Sequence, residues 1–248
     1  MILVKLGGSV ITDKSKKRVF KEKTVKRLAK EIKNSGEKII VVHGAGSFGH
    51  ILAKGYRLDK GFMDSKQIRG VARVQSDVKN LNLMVVNSLI DAGINPVSIP
   101  PSVVVECRNK KIEKINIDVF KKYLNLGLTP VTFGDVALDR KLGFCIVSGD
   151  LLMLELARVF KPKKAVFVSD VDGVYMDKKR MDKIDEKIFR NMKRKKTKIP
   201  DVTGSMYEKV KIGLKMSKFT KTMIINGNVK GRLCNALKGR KVVGTVIE

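Results

Sequence analysis

Short runs of β-branched and aliphatic residues recur along the chain, separated by charged stretches in which apolar residues return every three to four positions. The first pattern predicts buried strands at residues 2–6, 38–42, 95–99, 129–132, 165–169 and 222–226. The second predicts helices. Residues 21–34 place Val25, Leu28, Ala29 and Ile32 on one face, and residues 65–92 carry Ile68, Val71, Ala72, Val74, Val78, Leu81 and Val85 along one side. Residues 151–160 are apolar enough for a buried helix, and residues 206–217 are amphipathic. Strands apolar throughout their length and separated by helices imply a sheet covered on both faces. The expected fold is therefore α/β, a three-layer αβα sandwich with a mostly parallel central sheet. Residues 13–18 and 178–198 lack an apolar period and read as charged loops. No Pro/Ser-rich linker and no internal repeat interrupts the chain. One domain over residues 1–248 is expected, with an N-terminal lobe to about residue 140 and a C-terminal lobe beyond it, meeting near residues 134–142.

At 43% hydrophobic and 31% charged residues, the chain can bury a core. Its 52 Lys+Arg against 24 Asp+Glu give a net charge of +28. A surface that basic attracts phosphate backbones of any sequence. Yet the densest run, residues 190–198, holds no aromatic side chain to stack on bases, and the chain has no Trp and four Tyr. The remaining cations are spread over every segment, so a lysine-rich solvated surface is preferred to a nucleic-acid-binding module. No apolar run approaches the roughly 18 residues of a membrane span. Residues 1–8 read as a strand entering a loop rather than a secretory leader. Cys107, Cys145 and Cys234 are far apart and never in CxxC, which argues against a disulfide framework or a cysteine zinc site and favours a reducing cytoplasm.

The chemistry gathers in four small, polar or glycine-rich turns that follow strands: residues 5–9 (KLGGS), 43–50 (HGAGSFGH), 147–150 (VSGD) and 201–206 (DVTGSM). Ligands bind at the carboxyl ends of strands in open α/β sheets, where glycine lets backbone N–H groups approach an anion. The second turn matches GxGxxG through Gly44, Gly46 and Gly49. No convincing strand follows in residues 51–65 to carry the ribose-binding acid, which argues against a dinucleotide site. The same turn ends in His50-Ile51 where a Walker loop needs Lys and a hydroxyl residue, so a Walker NTPase is excluded. Lys5 interrupts a buried strand, where an unpaired charge is costly, and so reads as functional. His43 reads as a structural turn residue. Lys14 has Lys16 and Lys17 beside it and has solvated charge as its alternative reading.

Taken in order, Lys5-Leu-Gly-Gly-Ser9, the His-Gly-x-Gly turn, Ser169-Asp-Val-Asp-Gly-Val174 and Thr-Gly-x-Met-x-x-Lys209 resemble the amino acid kinase superfamily. The extended turn ending in His50, with Thr12-Asp13-Lys14 and Val147-Ser-Gly-Asp150, is similar to its isopentenyl phosphate kinase branch. The chain departs from common family patterns at Phe133, Leu151 and Ser205. The resemblance implies ATP and Mg2+, a small phosphate acceptor (isopentenyl phosphate) and a homodimer built on residues 65–92. It implies catalytic roles for Lys5, Lys14, His50, Asp150 and Lys209. It also implies acceptor contacts from Gly8, Ala45, His50, Ser148 and Gly149. Nucleotide contacts fall to Lys5, Gly7, Gly8, Ser9, Gly46, Asp170, Gly173, Val174, Gly204 and Lys209. No protein ligand set for a metal is expected. A fosfomycin-type phosphonate kinase is the alternative within the superfamily.

The reaction class makes sense of these residues. Phosphoryl transfer concentrates charge on equatorial oxygens, which fixed cations and N–H donors stabilise. A phosphate acceptor is already ionised near neutral pH, with its second pKa near about 6, and needs no general base. That agrees with the lack of an obvious base in the four turns. His50 is placed to donate a hydrogen bond to such an acceptor, with Lys14 adding a positive contact.

Overall fold

The computed structural model describes residues 1–13, 15–194 and 205–248. The strands are β1 (Ile2–Leu6), β2 (Ile39–His43), β3 (Pro96–Ser98), β4 (Val105–Arg108), β5 (Lys111–Ile115), β6 (Thr129–Phe133) and β7 (Asp135–Asp139). They continue with β8 (Gly143–Val147), β9 (Lys164–Ser169), β10 (Tyr175–Met176), β11 (Lys179–Arg180), β12 (Lys183–Ile184), β13 (Lys221–Asn226) and β14 (Gly244–Ile247). The helices are α1 (Gly8–Ile11), α2 (Glu22–Ser35), α3 (Gly46–Gly55), α4 (Lys66–Asp91), α5 (Pro101–Val104) and α6 (Ile117–Asn125). After them come α7 (Gly149–Phe160), α8 (Glu186–Arg194), α9 (Ser205–Met216) and α10 (Arg232–Leu237).

The main sheet has 8 strands in the order β12-β14-β13-β9-β1-β2-β6-β3, and only the β13–β14 pair is antiparallel. Alternation along β1 divides the core between the two faces. Ile2, Val4 and Leu6 meet α2, α4 and α10, while Leu3 points into the layer of α6, α7 and α9. Lys5 shares the Leu3 face, which puts its charge beneath α7. From β1 the chain moves outward through β2 to the β3 edge, fills β6 between them and returns to β9 on the other side of β1. The β1–β9 boundary is thus a switch point, where a doubly wound sheet opens a crevice beyond the strand ends.

Some expectations change. A second sheet, β5-β4-β7-β8, adds to the sandwich. Its short strands carry charges on their open face, as in Lys111–Ile115, and this obscures their alternation. Residues 178–194 are not a loop. They contain β11, β12 and α8, held by buried Ile184 and by Ile188 and Phe189 against the core, with Phe189 on Tyr207 at 4.9 Å between ring centroids. Helix α4 forms as predicted, but its N-terminal half is turned. Gln67, Gly70, Val74 and Asp77 face inward, whereas Ile68 and Ala72 face solvent. Gln67 accounts for the turn, since it accepts from Met63 N–H at 2.6 Å and donates to the carbonyls of Tyr56 and Arg57.

This orientation sets a test of α4. Leu81→Ala should cost about 2–5 kcal/mol by opening a cavity in a wholly buried position. Ile68→Ala should change stability by less than about 0.5 kcal/mol. Urea midpoints at unchanged slope measure both, and an equal loss from the two variants would contradict the assignment of faces.

Candidate active site

Parallel ladders continue past the strand ends at the crevice and so set the turns side by side. Gly7 N–H donates to Val168 O at 2.8 Å, Gly44 N–H to Leu6 O at 3.0 Å, and Gly134 N–H to His43 O at 3.0 Å. The first two glycine turns then touch backbone to backbone. A methyl group on Gly8 would lie 2.7 Å from the Gly46 backbone, so a side chain at Gly8 would force them apart. Thr12 ties the same turns together, donating to Gly8 O at 2.7 Å and accepting from Ser47 N–H at 3.0 Å. The third turn closes over Lys5. A Cβ on Gly149 would stand 3.0 Å from Lys5 Cε and 3.1 Å from His43 O. Ser148 caps α7 by accepting from Leu151 N–H at 3.2 Å.

Three charges meet in the centre. Asp150, in the first turn of α7, lies 2.8 Å from Lys5 Nζ through Oδ1 and 3.3 Å from Lys209 Nζ through Oδ2. Both ammonium groups stand over the Phe167 ring, at 5.9 and 5.7 Å from its centroid. The side chains of Lys5 and Asp150 are only 8% and 16% exposed, so solvent screens the trio weakly. Burial pushes the Asp150 carboxyl upward, but Lys5 and Lys209 overcome it and hold the group down at about 2. The carboxylate is therefore an anchor for two cations and not a proton acceptor near neutral pH.

The other candidates surround this trio in different ways. His50 stands on the exposed side of α3, on the same helix that Gly46 begins. Ser9 lies in α1, and its carbonyl accepts from Lys21 Nζ. Asp170 follows β9 and accepts from the Ser169 hydroxyl at 3.3 Å. Asp172 is drawn instead to Arg232 and to Asn226 Nδ2, which lower its pKa. Gly173 has φ +147°, and the buried Val174 donates its N–H to Thr245 Oγ1 at 2.8 Å. Lys14 and Gly204 lie outside the described residues. The neighbouring Arg18 is described. It reaches across to buried Asp77 on α4 at 2.8 Å from Nε and 2.7 Å from Nη2, tying the lysine-rich loop to that helix.

Sequence reasoning missed Phe167, Asp77 and Asn82. A phenylalanine inside an apolar strand carries no signal of lying under two lysines. Asp77 and Asn82 looked like ordinary polar positions on a long helix. Their sole sequence signal is polarity at positions adjoining the apolar stripe of α4.

The sequence profile of the amino acid kinase family matches residues 1–226. The chain is 37% identical to the isopentenyl phosphate kinase of Methanothermobacter thermautotrophicus, over 100% of this chain and 98% of that protein. It is 34% identical to the isopentenyl phosphate kinase of Thermoplasma acidophilum, over the whole of both chains. Among solved structures, one described as X-ray structures of isopentenyl phosphate kinase superposes with a TM-score of 0.87 at 34% identity, again over both whole chains.

The trio predicts its own failure. Asp150→Asn leaves two ammonium groups buried without an anion and should destabilise the protein by about 3–5 kcal/mol. In the wild type the carboxylate is depressed, so its stabilisation, roughly 2–3 kcal/mol, is fully present above about pH 4 and is lost as pH falls toward 2. Denaturation of wild type and variant across pH 2–7 should show the difference shrinking in acid. A constant difference would mean that the lysines do not set the Asp150 charge.

Proposed function

The chain belongs to the amino acid kinase family, and on that premise we propose that it transfers the terminal phosphoryl group of ATP to isopentenyl phosphate, giving isopentenyl diphosphate and ADP. The observation that carries the mechanism is the pair of ammonium groups, Lys5 and Lys209, fixed on one buried carboxylate. Two like charges held close before substrate arrives are preorganised for a phosphoryl group in transit. An acceptor phosphate oxygen forms the new bond to the γ-phosphorus while the bond to the β,γ-bridging oxygen breaks. No proton need be removed from an ionised acceptor, and Asp150, held at about 2, is too weak a base to remove one.

The nucleotide is assigned to Lys5, Gly7, Gly8, Ser9, Gly46, Asp170, Gly173, Val174, Gly204 and Lys209. The acceptor phosphate is assigned to Gly8, Ala45, Ser148, Gly149, His50 and Lys14. Its apolar tail is assigned to the side of the cluster beside Ala45, where Leu52, Tyr56, Val71, Phe133 and Ile146 pack between α3, α4 and the second sheet. Magnesium is expected with ATP. When bound it would neutralise charge on the nucleotide's phosphate oxygens. The half-exposed Leu83 and Ile90 on α4 support a homodimer through that helix. Among the described residues no helix is long and apolar enough to cross a membrane. The reducing cytoplasm expected from the cysteine spacing is the proposed compartment.

ADP release measured across isopentenyl phosphate, dimethylallyl phosphate, fosfomycin and acetylglutamate tests the assignment. The two isoprenoid phosphates should be turned over much faster than the others, and a preference for fosfomycin or a carboxylate acceptor would refute it. Lys209→Ala should lower kcat by about 10²–10³-fold in a folded protein, the scale of one lost transition-state contact. Near-normal turnover would remove Lys209 from the mechanism. His50→Ala should lose about 10–150-fold in kcat/KM for isopentenyl phosphate, with the KM for ATP little changed. His50→Gln, which keeps an N–H donor, should retain more activity. A loss confined to ATP would take His50 away from the acceptor.

A further inference from the structure

His43 ends β2 immediately before the glycine turn. Its ring is wholly buried and stacks on Phe133, with centroids 5.2 Å apart and planes 15° from parallel. Both ring nitrogens are near side-chain or backbone groups. Nδ1 is 3.1 Å from the Gly44 carbonyl oxygen, and Nε2 is 3.2 Å from Asn82 Oδ1. Asn82, almost wholly buried on α4, has its Nδ2 2.6 Å from Ser98 Oγ. A polar chain thus runs from the end of β3 through α4 to the phosphate turn.

Burial holds the His43 pKa down at about 4, so the ring is neutral and has one N–H to give. A proton on Nε2 would satisfy the Asn82 oxygen but would set the Nδ1 lone pair against the Gly44 carbonyl. A proton on Nδ1 donates to that carbonyl and leaves Nε2 as an acceptor. Asn82 meets this need once its amide is turned end for end, with NH2 toward the ring and oxygen toward the Ser98 hydroxyl; the two ends are alike in shape, and only the hydrogen bonds tell them apart. Only the second arrangement pairs every acceptor with a donor.

The consequence falls on Ala45. In a trans peptide the C=O and N–H point in opposite directions. Holding the Gly44 carbonyl therefore aims the Ala45 N–H the other way. Gly134 adjoins the Ala45 nitrogen, and Gly8 packs on Gly44. We propose that Asn82, backed by Ser98, is a positioning residue for phosphoryl transfer: it fixes His43 as the Nδ1–H tautomer and so directs the Ala45 N–H toward the acceptor phosphate. This rests on the assignment of the crevice to isopentenyl phosphate phosphorylation.

The chain has 2 histidines, so 15N-histidine labelling reads the tautomer directly by two-bond 1H–15N correlation, with His50→Gln identifying the His43 signals. The His43 ring should show Nδ1–H and should not titrate between pH 5 and 8. Asn82→Asp can only accept, so it should draw a proton onto Nε2, shift the His43 signals and make the ring titrate. It should raise the acceptor KM or lower kcat by about tenfold, one hydrogen bond's worth, with the KM for ATP unchanged. Ser98→Ala should show a smaller effect in the same direction, and Ser98→Thr, which keeps the hydroxyl, should restore wild-type values. An Nε2–H tautomer in the wild type would overturn the proposal. So would unchanged acceptor kinetics in folded Asn82→Asp or, if that variant does not fold, equal kinetics for Ser98→Ala and Ser98→Thr. The spectrum needs no turnover. Failure of the wild type to phosphorylate isopentenyl phosphate would instead refute the assigned reaction.

Discussion

The arrangement of the crevice depends on one carboxylate holding two ammonium groups. Lys5 comes from the middle of the sheet and Lys209 from α9, and each repels the other. Asp150 binds one with each oxygen, at 2.8 and 3.3 Å, and turns a repulsion into a fixed pair. Its place in the first turn of α7 assists, because the partial positive charge at a helix N-terminus favours an anion. The two lysines would gain little from such an anchor in open water, where exposed pairs contribute only about 0–1 kcal/mol. Here burial makes the pairing obligatory. A protein that lost the anion would bury two unmatched charges.

The glycine turns follow from the same demand. In the proposed reaction two anionic groups meet at the lysines, so the surrounding backbone must come close without side chains in between. Gly8 against Gly46 and Gly149 against Lys5 are the contacts where a Cβ would intrude. The ladder bonds that extend beyond β1, β2 and β6 hold those approaches without further side chains. Thr12 fastens the first turn to the second, and the Arg18–Asp77 pair fastens the adjoining loop to α4. Helix α4 supplies partners both to that loop, through Asp77, and to His43, through Asn82.

Much of this was legible from residue order, and the exceptions share a physical cause. Lys5 stood out because a charge inside an apolar strand requires a partner, and the turns stood out because glycines followed strands. The six strands read from apolar runs all exist. What escaped notice were elements whose burial is one-sided and brief. β4 and β5 alternate charge with apolar residues over only 4 and 5 positions. In α8 the anchoring residues Ile188 and Phe189 are outnumbered by Lys and Arg. In α4 the apolar stripe at Ile68 and Ala72 was misjudged because Gln67 and Asp77 are buried by hydrogen bonds and ion pairs, which periodicity does not register. The second sheet, and partners such as Phe167 and Asn82, depend on contacts between distant parts of the chain.

The net charge of +28 and the lysine pair act at different ranges, and separating them explains why so basic a chain can be a small-molecule enzyme. At physiological ionic strength fields from exposed charges decay over about 8 Å, so cations on remote faces add little at the crevice. They can raise the rate at which any polyanion is encountered, without selecting among anions. Lys5 and Lys209 are buried, screened weakly and fixed by Asp150, so in the proposed reaction they act on charge that develops at one point. Under the proposed function, selection among acceptors then falls to features of the crevice other than the lysine pair. These are the directed N–H groups of the turns, the imidazole at the end of the second turn, and the apolar cluster beside Ala45. A basic surface supplies attraction, while a single buried acid turns two of the chain's cations into a site.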